Sequence, residues 1–179
     1  EALPYDPFHL DDPELQSGKH RRVMSLPGLV ESVIPFVRPQ EVDCDLSTVA
    51  VAYVYFEKLV LRNVVNKPNR KLMAAVSLVL AAKWTEHHKM KGLLQQVERH
   101  YGIPRAVLFR SEFSVYVELA FKLQLQPQEV YPHFTRLLQA LDRTAHEYLG
   151  ETTFDEYQKT FLKPERTLGD DEGVRLGGA

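Results

Sequence analysis

The stretch Asn69-Arg70-Lys71-Leu72-Met73-Ala74-Ala75-Val76-Ser77-Leu78-Val79-Leu80-Ala81-Ala82-Lys83-Trp84 decides the fold. From Leu72 to Trp84 only Ser77 and Lys83 interrupt an apolar run that contains four alanines. A helix apolar on every side has to be surrounded by other elements, and alanines let those neighbours come close. With Asn69 as its N-cap, the run predicts the central helix of an all-α domain.

Working outward, Leu46 to Arg62 sets Leu46, Val49, Ala50, Tyr53, Phe56 and Val60 on one face, with Ser47, Glu57, Lys58 and Arg62 elsewhere. That spacing predicts an amphipathic helix. The turn Asn66-Lys67-Pro68-Asn69 separates it from the central one. On the other side, Met90, Leu93, Leu94 and Val97 mark a helix stopping at His100-Tyr101-Gly102, with Gly102 placed as its C-terminal glycine. Pro104 suits the first turn of a long helix to Leu123. Pro127 does the same for one carrying Val130, Phe134, Leu137, Leu138 and Leu141. No period-two alternation bounded by hairpin turns occurs, which leaves no place for a sheet.

Toward the N-terminus, Leu29, Val30, Val33, Ile34 and Val37 recur at helical spacing, and Pro27 and Pro35 keep that helix short. Residues 1–22 mix Pro4, Pro7 and Pro13 with charge and end in Gly18-Lys19-His20-Arg21-Arg22, which predicts an extended arm. A domain over 23–147 follows, then a flexible tail over 148–179 with its Gly169-Asp170-Asp171-Glu172-Gly173 run.

With 44% hydrophobic residues in 179, one full core is the expectation. Lysine and arginine number 22 against 24 aspartate and glutamate, a net charge of -2 that supplies no excess of cations to wrap a polyanion. Nucleic acid is therefore not expected as the main partner. The lone Cys44 has no disulfide mate, and neither a leader nor an apolar stretch of membrane length is present. A reducing, soluble, intracellular setting with no membrane partner is expected. Because the chain opens at Glu1 rather than Met, a fragment or processed form of something longer is also expected.

An enzyme needs a nucleophile with its base, a metal constellation or a phosphate-cradling glycine loop, and no such motif appears. His87-His88 beside Glu86 are adjacent on a helix end and point about 100° apart, so they do not converge on one ion. Cys44 between Asp43 and Asp45 is a poor nucleophile, because neighbouring carboxylates raise a thiol pKa. No catalytic residue, metal or cofactor is expected. Lys19-His20-Arg21-Arg22 is short enough to be a solvated charge run, and Tyr5 in the arm is a position a tyrosine kinase could reach.

Val54-Tyr55-Phe56-Glu57-Lys58-Leu59, Asn69-Arg70-Lys71-Leu72 through Leu80-Ala81-Ala82-Lys83, and Arg110-Ser111-Glu112-Phe113 together resemble a cyclin box. Tyr5-Asp6-Pro7, Leu10-Asp11-Asp12-Pro13, Gly18-Lys19-His20-Arg21 and Pro132-His133-Phe134 narrow the resemblance to the C-terminal cyclin-like domain of the Cables family. Those are adaptors named as substrates of a cyclin-dependent kinase and of the Abl tyrosine kinase. The likeness runs from about residue 5 to residue 139, in motifs specific as a set. It implies a cyclin-box helical bundle, a cell-cycle adaptor of nucleus and cytoplasm, a cyclin-dependent kinase as partner and an Abl-type tyrosine kinase as a further one.

In that family a lysine and a glutamate grip the kinase, and Lys83 and Glu112 stand at the family's separation of 29 residues. Leu72 and Phe109 would be their apolar anchors. Glu57 and Lys58 have the family's acidic-basic order, which a solvated helix face explains as well. Lys83 lies at the C-terminal end of the central helix, where the dipole favours a cation, and Glu112 lies in the first half of its own helix. Both can stay charged at an interface, or they can pair with each other and lock two helices. Between Arg38-Pro39-Gln40-Glu41-Val42 and Leu46 the family carries a longer stretch that includes the first box helix, and here almost nothing stands there. Either Leu26 to Val37 fills that place or the box lacks its first helix. A transcription-factor-type cyclin fold contacting DNA or transcription proteins is the alternative, and the charge balance speaks against it.

Overall fold

The computed structural model describes residues 44–159, and among these there are six α-helices and no strand. The first helix, α1 (Leu46–Leu61), ends one residue short of the predicted Arg62. Asp45 caps it, its carboxylate accepting from the Ser47 N–H and from the Ser47 hydroxyl, each at 2.8 Å. The predicted amphipathic pattern understates its burial. Thr48, Ala52, Val54, Tyr55 and Glu57 are buried along with the expected apolar face, so α1 is more enclosed than the helix the sequence makes central, α2 (Arg70–Thr85), with twelve buried residues against nine.

That central helix, α2 (Arg70–Thr85), is buried over Met73 and from Ala75 through Ala82, and it packs on α1 as the sequence requires. Each fully buried Leu or Val here contributes about 1.5–3 kcal/mol relative to exposure, which is why the α1–α2 pair can anchor a domain this small. The predicted cap is corrected. Asn69 occupies the N-cap position with helical φ and ψ and makes no capping bond. Its amide is used in the turn instead: Oδ1 accepts from the Asn66 N–H at 2.7 Å and Nδ2 donates to the Val64 carbonyl at 2.9 Å.

A 3-10 turn, His87–Lys89, leads into α3 (Met90–Tyr101), which ends as expected at Gly102 in the left-handed region, φ 66. Helix α4 (Arg105–Glu118) stops well before the predicted Leu123. Leu119 closes it onto the Val115 carbonyl, and Ala120 and Phe121 follow with φ of 54 and 60. Two successive non-glycine residues in that region end a right-handed helix. The guanidinium of Arg62, the residue that caps the end of α1, donates to the Glu118 carbonyl and the Tyr55 hydroxyl of α1 donates to the Leu123 carbonyl, which pins the turn on both sides.

Helix α5 (Pro127–Ala140) starts at the predicted proline, with the Gln126 N–H donating to Glu129 at 2.8 Å, and it packs on α1. The α1–α5 contact carries a buried side-chain pair, His133 Nε2 to Glu57 Oε2 at 2.9 Å, with the Tyr53 ring stacked on the imidazole at 5.8 Å. Both α3 and α4 pack on α2.

From Ala145 the described residues, up to 159, belong to a separate unit. The tail predicted from 148 is instead helical to Tyr157 in α6 (Ala145–Tyr157), two helical stretches meeting at Gly150, φ 73. Phe154 stands edge-on to His146 at 5.1 Å and stacks on Tyr157 at 5.9 Å, a local cluster that sparse apolar spacing does not reveal. The predicted arm, the short Leu26 to Val37 helix and the glycine-rich end lie outside the described residues. No described helix is long and apolar enough to cross a membrane.

Candidate docking surface

Helix α4 has to satisfy two surroundings at once. Leu108 and Val115 face inward and are buried. On the adjoining arc, Phe109, Glu112, Phe113 and Tyr116 recur at three- and four-residue intervals and therefore share a face. That second face holds large apolar side chains in the open: Phe113 is 68% exposed, Phe109 46%, and Trp84 at the end of α2 56%. Among the described residues, only the first face holds fully buried side chains of α4. An exposed aromatic cluster of this kind marks an interaction surface more often than isolated apolar residues do.

Between α2 and α4 this face forms a groove of about 380 Å³, lined by Leu80, Lys83, Trp84, Phe109, Glu112, Phe113, Tyr116 and Leu123. Lys83 Nζ meets both carboxylate oxygens of Glu112, at 2.5 and 2.6 Å, and lies 5.3 Å from the centre of the Phe109 ring. The pair is closed on itself, and it is not covered: the side chains keep 40% and 19% of their surface. A partly solvated pair of this kind contributes little to the fold, about 0–1 kcal/mol. Beyond it, the left-handed turn folds Phe121 back, edge-on to Tyr116 at 4.9 Å and 6.5 Å from Phe113.

The structure thus brings Lys83, Glu112 and Phe109 together and leaves three predicted residues elsewhere. Leu72 is half-buried in the first turn of α2, eleven residues before Lys83 and so about 16 Å away along the axis. Glu57 is 1% exposed and paired with His133, because α5 covers the side of α1 that its polar pattern assigns to water. Lys58 pairs with Glu129 of α5 at 2.6 Å. Trp84, Phe113, Tyr116 and Leu123 went unpredicted. The available signal was α4 itself, whose apolar residues are too many for one buried stripe.

A carboxylate just past the groove fixes the end of α2. Glu86 Oε1 accepts from the Asp45 N–H at 2.8 Å and from the Thr48 hydroxyl, and Oε2 pairs with Lys89 at 2.8 Å. Burial pushes this carboxyl up, but the bonds from Lys89, Thr48 and the Asp45 amide outweigh it and hold the group below its ordinary value. Cys44 is buried beside it, and its thiol is pushed up to about 12, by burial first and by Glu86 and Asp45 after that. The predicted inertness of this thiol therefore has burial as its main cause. His87 and His88 are exposed, and no group of three or more potential metal ligands occurs among the described residues.

Residues 37–124 match the model of the cyclin N-terminal domain. The chain is 35% identical to mouse CDK5 and ABL1 enzyme substrate 1, over 77% of its own length and 31% of that protein's. Human CDK5 and ABL1 enzyme substrate 2 is 33% identical, with coverage of 78% and 37%. The chain thus spans about a third of the length of these curated relatives. The 178 aligned positions take up only 77% of 179 residues, so the relatives carry residues with no counterpart here. No solved structure gives a significant match.

Proposed function

We propose that this chain, which belongs to the cyclin-box superfamily and within it to the CDK5 and ABL1 enzyme substrate family, is a regulatory adaptor that docks on a cyclin-dependent kinase through the α2–α4 groove. One observation carries the reading: a partly solvated ion pair lies across an aromatic groove where Trp84, Phe109, Phe113 and the neighbouring Phe121 stay exposed. Trp84, Phe109, Phe113 and Phe121 act as apolar anchors. Lys83 and Glu112 act as a polar clamp, the ammonium donating to carbonyl groups of the partner and the carboxylate accepting from its amides. Covering the groove removes water from both charges and strengthens those bonds, so the clamp gains most of its energy only when docked.

In this reading the domain supplies a surface and no chemistry of its own. The names of the relatives describe substrates of CDK5 and ABL1, which supports a cyclin-dependent kinase as the partner and an Abl-type tyrosine kinase as a second one; the setting we propose for these contacts is the nucleus and cytoplasm. Titration calorimetry of the purified chain against cyclin-dependent kinases tests the proposal. Lys83→Ala with Glu112→Ala is expected to weaken binding by about 2 kcal/mol or more, roughly 30-fold. Undiminished binding by that variant contradicts it. Trp84, the single tryptophan, gives a second readout, since its fluorescence should shift to the blue as the kinase covers it.

A further inference from the structure

The other end of α2 breaks the rules for a helix start. Its first turn holds no acidic residue and carries Arg70 and Lys71, next to the positive end of the helix dipole, where cations are disfavoured. The residue at the cap position spends its side chain in the preceding turn. The Lys71 and Leu72 amides consequently have no acceptor among the described residues. Charge accumulates there as well. No aspartate or glutamate occurs between Glu57 and Glu86, an interval with six cations. Lys58 and Lys83 have carboxylate partners and Arg62 a backbone carbonyl. Lys67, Arg70 and Lys71 are exposed, fall within one turn of chain, and have no ion-pair partner among the described residues. Nothing among the described residues offsets the cost of this arrangement, and a local cost of that kind points to a binding role.

We propose that this corner is a docking site for an acidic segment of a partner protein, a short run of carboxylates bearing a phosphorylated side chain, gripped by Lys67, Arg70 and Lys71. Three cations in a single turn match a few adjacent anionic groups. They do not form the long stripe needed to track a nucleic acid, and the net charge of -2 opposes such tracking. The corner stands about 20 Å along α2 from Lys83, so the proposal is independent of the groove.

Fluorescence anisotropy of the full chain with a labelled peptide, one phosphoserine set among aspartates and glutamates, tests it. The wild type should bind, more weakly as salt rises. The variant Lys67→Gln, Arg70→Gln, Lys71→Gln should lose at least tenfold in affinity. A variant of equal charge loss on exposed sites elsewhere, Lys91→Gln with Arg99→Gln and Lys122→Gln, should bind like wild type. Circular dichroism establishes that both are folded, and if the triple variant is not, Lys67→Gln with Lys71→Gln takes its place. The proposal is overturned if the triple variant binds like wild type, if a peptide with serine, asparagine and glutamine in place of the acids binds as well, or if a single-stranded oligonucleotide binds more tightly than the peptide.

Discussion

Two side-chain pairs in this molecule use the same kind of carboxylate for different ends. Glu57–His133 is sealed between α1 and α5 with both side chains 2% exposed, whereas Lys83–Glu112 lies open between α2 and α4 above a groove of aromatic rings. Burial decides the role. Inside the bundle a polar group depends on its partners, because removing one leaves the other short of a bond that water cannot replace. At the groove either member can turn to solvent, so the pair is dispensable for folding and available for a second protein.

The contrast breaks most easily at the buried pair. Glu57→Ala should destabilise the domain by about 3–5 kcal/mol, read as a lower midpoint in urea unfolding, since it leaves His133 without its carboxylate. Lys83→Ala with Glu112→Ala should cost the fold about 1 kcal/mol or less in the same assay. Equal losses at the two sites would erase the distinction.

Glu86 sharpens the comparison through pH. Its folded pKa lies below its ordinary 4.5, so its contribution to stability is present above that value and disappears as pH falls through the folded pKa. Glu86→Gln should accordingly unfold at a lower temperature than wild type at pH 7, with the gap narrowing below about pH 4.5. A gap independent of pH would show that the carboxylate is not what holds α2's end to α1. The smallest effect is at Cys44. With the thiol pushed up to about 12 and buried, iodoacetamide at pH 8 should label the native chain far more slowly than the urea-unfolded one, as mass spectrometry can follow.

Much of the bundle was legible because its signals are local. The apolar run of α2, Pro127 at the start of α5 and Gly102 after α3 each name an element through chemistry confined to a few residues. The failures are places where distant contacts decide. Glu57 reads as a solvated charge until α5 delivers His133 to it from 76 positions away. The end of α4 reads as helix to Leu123 until Tyr55 of α1 and Arg62 at its C-terminal cap capture the turn. Asn69 reads as a cap until Asn66 and Val64 take its amide. Of the site, the spacing of Lys83 and Glu112 was visible, but the groove was not, because it requires Trp84 from one helix beside Phe109 and Phe113 from another.

Exchanging the clamp in place tests its outward role most directly. Lys83→Glu with Glu112→Lys preserves an ion pair across the same two helices while reversing the charges presented to a partner. The account predicts an unfolding midpoint close to wild type together with at least a tenfold loss of affinity for the cyclin-dependent kinase in calorimetry. Wild-type affinity in the swapped protein would contradict it, because the two charges would then serve only to join α2 to α4.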